Sequence, residues 1–346
     1  MRLAALAANY LLLSERSRGD CAAVVKANAY GLGMAPVVRA LTEVGCTTFC
    51  VATLAEGLAL RALDAQPRVI VLGGVDAAGA ELASRAQLEP VINSREQAQA
   101  WYPYRTRPAA LHVDTGMHRL GMPPAEIGCV EWADYELTTL MTHLACADNP
   151  NDPSNAAQLQ RFNAIQAKFP SCASSIANSA GCLLDEAYHG DLTRPGIGLY
   201  GGHPQNALAD NPLSWVVSLQ ARVVQIRTLP ANNSLGYGGT FQSPTQRVIA
   251  VVGLGYADGL PRVLTNRGEV AINGRRAPIV GRVSMDLVQV DITDIASAGS
   301  TPVCVGDWVE FFGPTIAIDQ VAAWADTIAL EILCGLGRRA HWEYVA

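Results

Sequence analysis

The sequence predicts an α/β chain, a (β/α)8 TIM-type barrel followed by a mostly antiparallel β domain. Three observations carry this expectation. Over roughly the first 200 residues, short apolar runs alternate with amphipathic segments, as parallel strands joined by crossover helices do. After Leu213 the texture changes to alternating runs joined by Asn-Gly, Pro and Gly turns. Between the two, Asn206–Pro212 is polar and proline-punctuated, which sets expected domains at 1–213 and 214–346.

The elements follow in chain order. Leu3–Leu13 is apolar but too short to span a bilayer. It carries Asn9 and Tyr10 inside, Glu15 follows, and no clear cleavage site is present, so it reads as a helix rather than a signal peptide. Candidate strands are Cys21–Lys26, Thr48–Val51, Arg68–Leu72, Glu89–Ile92, Ala109–Val113, Thr138–Thr142, Ser171–Ala177 and a last one near Leu192–Arg194. The first is typical: an apolar run with β-branched residues, closed by Asn and Gly. Amphipathic segments such as Thr53–Leu63, Ala77–Ala86, Ser94–Ala100 and Asn155–Phe169 lie between them. In the second half, Trp215–Thr228, Arg247–Gly253, Glu269–Ile272, Leu287–Ile292 and Asp307–Phe312 read as strands, and one helix, Ile318–Leu336, closes the domain. No internal repeat or low-complexity tract appears.

Composition bounds the function. The chain has 346 residues, half of them hydrophobic and 16% charged, which fits a folded protein with a sizeable core. The formal charge is −6 and no Lys/Arg cluster stands out, which argues against a nucleic-acid groove or an anionic membrane surface. The nine cysteines form no Cys-x-x-Cys pair and lie partly in apolar runs, where a thiol packs as a small hydrophobe. An odd count without framework spacing fits a reducing, cytoplasmic compartment. No metal-ligand pattern is present.

Barrel chemistry collects at the carboxyl ends of the strands. Lys26 ends the first strand, Arg119 follows the fifth, His143 ends the sixth, Asn178 and Ser179 follow the seventh, and Arg194 ends the eighth. A lysine at such a rim can lose its proton by desolvation and act as an amine nucleophile, or its head can simply reach water. The loops after strands seven and eight often hold a phosphate. Here they carry Asn178-Ser179-Ala180-Gly181 and Pro195-Gly196-Ile197-Gly198. Ser179 also reads as an ordinary helix N-cap, Arg194 as a rim salt bridge, Tyr30 as a packing aromatic and His143 as a satisfied core histidine. Their common placement on one rim weighs against these separate readings.

Seven blocks fall in one order: Val24–Gly33 (VVKANAYGLG), Asp114-Thr-Gly with Met117–Gly121, Met141-Thr-His143, Asn178–Gly181, Arg194–Gly201 (RPGIGLYG), Gly255–Gly259 (GYADG) and Gly281–Asp286 (GRVSMD). Together they resemble the alanine racemases, the pyridoxal 5'-phosphate (PLP) enzymes of fold type III. The resemblance covers nearly the whole chain and implies the following roles. Lys26 carries the cofactor as a Schiff base. Ser179, the Gly196–Ile197 amides and the Tyr30 hydroxyl hold its phosphate, and His143 and Asn178 also line it. Arg194 faces the ring nitrogen. Arginine only donates, so that nitrogen stays unprotonated and proton return to Cα is favoured over transamination. Lys26 and Tyr256 are the two bases. Tyr256 needs cationic company to ionise near neutrality, with His143 and Arg194 as candidates. Tyr256 and the Met285 loop serve the partner subunit's site, so a head-to-tail homodimer is implied, and Arg119 and Met285 contact the substrate. Alone, Tyr256 and the Met285 loop could be a hairpin aromatic and a hairpin turn.

Two positions depart from the family. Relatives commonly carry a lysine two residues before Asp-Thr-Gly, converted to a carbamate that orients the arginine matched by Arg119. This chain has His112, and another anion is then expected beside Arg119. The family tyrosine after Thr-Ile-Ala is Leu330 here, which removes a phosphate hydrogen bond and widens the expected pocket. Relatives also begin with an extra strand, reduced here to Met1-Arg2-Leu3. The expected function is racemisation of L- and D-alanine. A racemase of wider range and a PLP-binding protein without turnover are the alternatives. A fold type III decarboxylase would need a different carboxyl-terminal set.

Overall fold

The computed structural model describes residues 1–64, 66–205, 211–297, 302–337 and 339–346. It divides into two compact units, Leu3–Ser214 and Met1–Arg2 with Trp215–Ala346. Of the segment expected to hold the boundary, residues 206–210 lie outside the described residues.

The first unit opens with helix Leu3–Arg16, whose buried Ala5, Leu6, Tyr10 and Leu13 line one stripe. Asn9 is buried in the same stripe, and its amide exchanges two 2.8 Å hydrogen bonds with the backbone of Ser214. Seven parallel strands follow in sequence order: Ala23–Val24, Thr48–Val51, Arg68–Val71, Glu89–Ile92, Ala109–His112, Leu137–Met141 and Ala173–Ser175. Thr48–Val51 and Glu89–Ile92 are buried at every position, as strands covered on both faces must be. The eighth segment, Leu192–Thr193, pairs in parallel with Asp20–Cys21. Its neighbours also bond both edges of the sheet, Arg194 N–H to Ala177 O at 2.9 Å and Val24 N–H to Pro195 O at 3.0 Å. Those bonds make the curled sheet the barrel that the sequence predicts.

Helices Met34–Glu43, Leu54–Leu63, Ala80–Arg85, Arg95–Trp101 and Pro153–Gln166 make the crossovers. Two connections differ from the expected α-helices and use 3₁₀ turns, Pro124–Cys129 and Trp132–Asp134 in one, Gly181–Leu183 and Glu186–Tyr188 in the other. Adjacent Pro123 and Pro124, with Gly128, disfavour a continuous helix in the first. At the amino ends of the strands, opposite the rim, Arg68 pairs with buried Glu89 at 2.6 Å and also donates to Thr139 Oγ1 at 2.8 Å. That end is a satisfied ionic plug, as expected of the stability face of such a barrel.

In the second unit six strands close an antiparallel barrel in the order Leu219–Leu229, Arg247–Val252, Val288–Asp291, Arg275–Val280, Glu269–Ile272 and Trp308–Phe312. Closure removes the exposed edges of an open sheet. Arg275–Val280 was not among the expected strands. It pairs with Glu269–Ile272 across the Asn273-Gly274 turn, where φ is 52° and 75°, the left-handed pair that a two-residue hairpin needs. The expected single helix Ile318–Leu336 is two, Ile318–Trp324 and Ala329–Cys334. Asp326 sits at φ 53° between them and breaks the i to i+4 ladder. Met1 and Arg2 belong to this unit rather than to the first. Arg2 N–H donates to Val216 O at 2.8 Å, and its guanidinium lies 4.3 Å from the Trp215 ring.

Candidate active site

Lys26 does not end a strand. The first strand stops at Val24, and Lys26 opens a single turn, Lys26–Tyr30, that is left-handed. Ala27, Asn28, Ala29 and Tyr30 have φ of 52°, 54°, 55° and 57°. A left-handed turn costs L-residues about 1–2 kcal/mol each. The turn is held from inside by Ala29 N–H to Val25 O at 2.9 Å and Gly31 N–H to Ala27 O at 2.8 Å. From outside, Asn28 Oδ1 accepts Met34 N–H at 2.9 Å and Glu56 Oε1 accepts Ala27 N–H at 2.8 Å. The sense of the turn lays the Tyr30 ring against Tyr200, with centroids 4.8 Å apart.

Tyr30, Ser179 and the Gly196 loop converge. Ser179 is buried and is not a helix cap. Its Oγ accepts Gly196 N–H at 2.7 Å and Gly198 N–H at 3.2 Å. Ile197, expected to offer its amide to the phosphate, is buried in the same loop between these two glycines. A Cβ on Gly196 would stand 2.2 Å from the Tyr30 hydroxyl, so a side chain there would displace the ring. Two hydroxyls and the glycine-rich loop thereby meet in one small polar cradle of the kind that holds a phosphate.

Arg194 is 5% exposed. Its guanidinium donates to Ser175 Oγ and, at 2.6 Å, to Thr142 O. No carboxylate pairs with it among the described residues, so it is not a rim salt bridge. Burial lowers its pKa, yet a guanidinium stays charged. This cation adds to burial in opposing charge on the histidines around it. His143 is pushed well below the usual histidine pKa by burial, then by Arg194, Arg119, His112 and Lys26. The Asn178 Oδ1 accepts Gly181 N–H at 2.9 Å, which turns Nδ2 toward His143 Nε2 at 3.5 Å. His143 is therefore neutral with its proton on Nδ1, and of the two cations expected to help Tyr256 only Arg194 is charged.

His112 is pushed down to about 3, by burial first and by Arg194 next. Its Nδ1 lies 2.8 Å from Asn93 Oδ1. The Asn93 amide nitrogen already donates to Leu72 O and Val91 O, so Nδ1 of His112 carries the proton and Nε2 is left as an acceptor. Arg119 is exposed and forms no hydrogen bond or ion pair among the described residues. No carboxylate lies within ion-pair distance of it among the described residues. Asp114, in the same loop, is engaged by His118 Nδ1 at 3.1 Å and by three backbone amides.

The second unit brings Tyr256 and Met285 together. Tyr256 starts the 3₁₀ turn Tyr256–Asp258, its N–H donates to Ser284 O at 3.1 Å, and Ala257 N–H donates to Met285 O at 3.0 Å. A Cβ on Gly255 would stand 2.2 Å from Met285 O, so glycine permits this close approach. Arg339 ties the two loops from below, to Asp258 at 3.1 Å and Asp286 at 2.6 Å. Both side chains project outward, Tyr256 at 43% and Met285 at 53% exposure. Leu330 is partly exposed, while Ala329, Ile332 and Leu333 of the same helix are buried.

Sequence reasoning missed Glu56, Asn93 and Arg339. Thr53 and Glu56 form a capping box at the start of Leu54–Leu63, and that Thr-x-x-Glu spacing was a readable signal. Asn93 and Arg339 act through remote partners and carry no local signature.

The comparisons agree along the chain. The family model "Alanine racemase, N-terminal domain" matches residues 1–204, and "Alanine racemase, C-terminal domain" matches residues 216–344. The alanine racemase of Rhodospirillum rubrum is 44% identical over 355 residues, covering 99% of this chain and 94% of that protein. In Agrobacterium fabrum the catabolic alanine racemase is 42% identical and the biosynthetic one 39%, each covering 99% of this chain and at least 90% of the relative. The crystal structure of the Bartonella henselae alanine racemase with covalently bound pyridoxal phosphate superposes with a TM-score of 0.94 at 36% identity, covering 100% of this chain and 98% of that one.

Proposed function

The chain belongs to the alanine racemase family, and on that premise we propose that it interconverts L- and D-alanine with two bases, Lys26 and the partner subunit's Tyr256, in a homodimer. It is an amino-acid racemase, an isomerase whose cofactor is pyridoxal phosphate. The residues fit that group on their own chemistry: a lysine fixed at the barrel rim, a donor cradle that a Cβ at Gly196 would fill, and a buried arginine with no acid beside it. When bound, the cofactor supplies the electron sink that acidifies the substrate Cα–H.

The observation that carries the reading is Arg194. Its position is fixed by Ser175 and Thr142, and it can offer only N–H to a ring nitrogen. Such a donor keeps that nitrogen unprotonated, moderates the sink and favours proton return at Cα. Ser179, Tyr30 and the Gly196 and Ile197 amides would hold the phosphate. His143, neutral, lines the ring without competing for the proton, and Asn178 orients it. Lys26 holds or takes the Cα proton on one face. Tyr256 does so on the other, with Arg194 as the cation that favours its phenolate. Arg119 and Met285 contact the substrate. The outward projection of Tyr256 and Met285 supports service to a neighbouring subunit. Nine free thiols support a reducing, cytoplasmic setting.

A racemase of wider range is favoured by one observation, the partial exposure of Leu330 on a helix whose neighbouring apolar residues are buried. A cofactor carrier without turnover finds no support, because the match over residues 216–344 adds the domain that carries Tyr256. The test is a chiral assay of purified protein with PLP against a panel of L-amino acids, with borohydride fixation of the cofactor. Alanine turnover and label on Lys26 are expected. Label on another lysine, or no racemisation of any member of the panel, sinks the proposal.

A further inference from the structure

We propose that Glu56 is a positioning residue for Lys26, holding by its carboxylate the left-handed turn from which the lysine projects. The inference rests on the reading of Lys26 as the cofactor lysine. Residues Ala27–Tyr30 are left-handed without a glycine among them, and Ala27 and Ala29 have no side chain able to bond locally and favour that conformation. The Ala27 amide lies just after the lysine and sets the plane of the Lys26–Ala27 peptide. Glu56 Oε1 accepts it at 2.8 Å. The other oxygen, Oε2, accepts Ala52 N–H at 2.7 Å and Thr53 N–H at 3.3 Å. One side chain thus joins the carboxyl ends of the first two rim strands, 29 residues apart along the chain at the Ala27 contact.

Both oxygens must accept. A helix-capping role needs one of them, and glutamine serves a capping box as well as glutamate does. The Ala27 clamp on top of the cap needs the second, which glutamine replaces with a donor aimed at another donor. Glu56→Gln therefore separates positioning from capping. Thr53→Ala is the converse control, since it removes the cap hydroxyl that accepts Glu56 N–H at 3.3 Å and leaves the clamp.

The holoenzymes of wild type, Glu56→Gln, Thr53→Ala and the double variant Ala27→Gly/Glu56→Gln would be compared by kinetics, visible circular dichroism of the bound cofactor and the rate of borohydride fixation at Lys26. Glu56→Gln should lose about 10- to 100-fold in kcat with KM within about threefold, and lose most of the induced dichroism, while its melting temperature stays near wild type. Glycine adopts the left-handed region freely, so Ala27→Gly should return at least part of both signals to Glu56→Gln. A capping role would not be rescued in this way. Thr53→Ala should lower the melting temperature and leave kcat and dichroism intact. Unchanged kcat and dichroism in Glu56→Gln overturn the proposal, as does a double variant that fails to fold or shows no rescue. If wild type itself is not labelled at Lys26, the cofactor assignment fails instead.

Discussion

His112 stays neutral because burial and two arginines oppose its charge, and this has a consequence for acid stability. The unfolded chain takes a proton on this residue below about pH 6.5, whereas the folded chain does so only near pH 3. Between those values the unfolded state binds more protons, so stability falls as pH falls, by up to about 1.4 kcal/mol per pH unit for this group. His143 acts in the same direction. Replacing His112 with Asn should make the acid limb of a stability profile between pH 6.5 and 4 shallower, as read from urea midpoints. An unchanged slope would mean that His112 is protonated in the fold. A histidine also cannot carry a carbamate, so the racemase should be indifferent to added bicarbonate. Several-fold activation by bicarbonate would contradict this. At Leu330, restoring tyrosine should lower the serine-to-alanine ratio of kcat/KM by an amount within about 1–3 kcal/mol, the scale on which an apolar pocket senses a hydroxyl or methylene. It should also tighten cofactor binding. If neither quantity moves, Leu330 only packs its helix.

At the scale of elements, the Gly196 loop and the left-handed turn are made for each other. Gly196→Ala places a Cβ 2.2 Å from the Tyr30 hydroxyl, against a ring already stacked on Tyr200. The ring or the loop must shift, and the cradle opens. The expected outcome is a PLP affinity at least tenfold weaker with only a small change in melting temperature, measured by titrating apoenzyme and following cofactor absorbance. Wild-type affinity would show that the cradle does not hold the phosphate. The rim itself was legible in the sequence, because each short apolar run ends where its polar residue begins. Lys26, His143, Ser179 and Arg194 were read from those ends. The handedness of the Lys26 turn was not legible, since Ala-Asn-Ala-Tyr carries no glycine to announce positive φ. Its clamps, Glu56 and Asn28, are polar residues whose partners are backbone amides.

For the whole molecule, Tyr256 and Met285 lie in a different unit from Lys26. A site shared between subunits predicts complementation. Inactive Lys26→Ala and Tyr256→Ala chains, mixed under conditions of verified exchange, should regain about a quarter of wild-type activity. In a random mixture half the dimers are hybrids, and one of the two sites in each holds both bases. No recovery would place both bases in one chain and remove the case for sharing.

The sequence by itself determined the order of the parallel strands in the first unit and the Asn-Gly turn of the second. These follow from periodicity and turn chemistry, which act between near neighbours along the chain. Only the tertiary structure decided that six strands close into a second barrel, that His112 and His143 are uncharged, and that the lysine turn is left-handed. Each depends on groups brought together from distant positions: two edge strands that pair, arginines that oppose a proton, and a carboxylate that meets an amide 29 residues away. Charge state and strain are properties of an environment, and that environment exists only once the chain has folded.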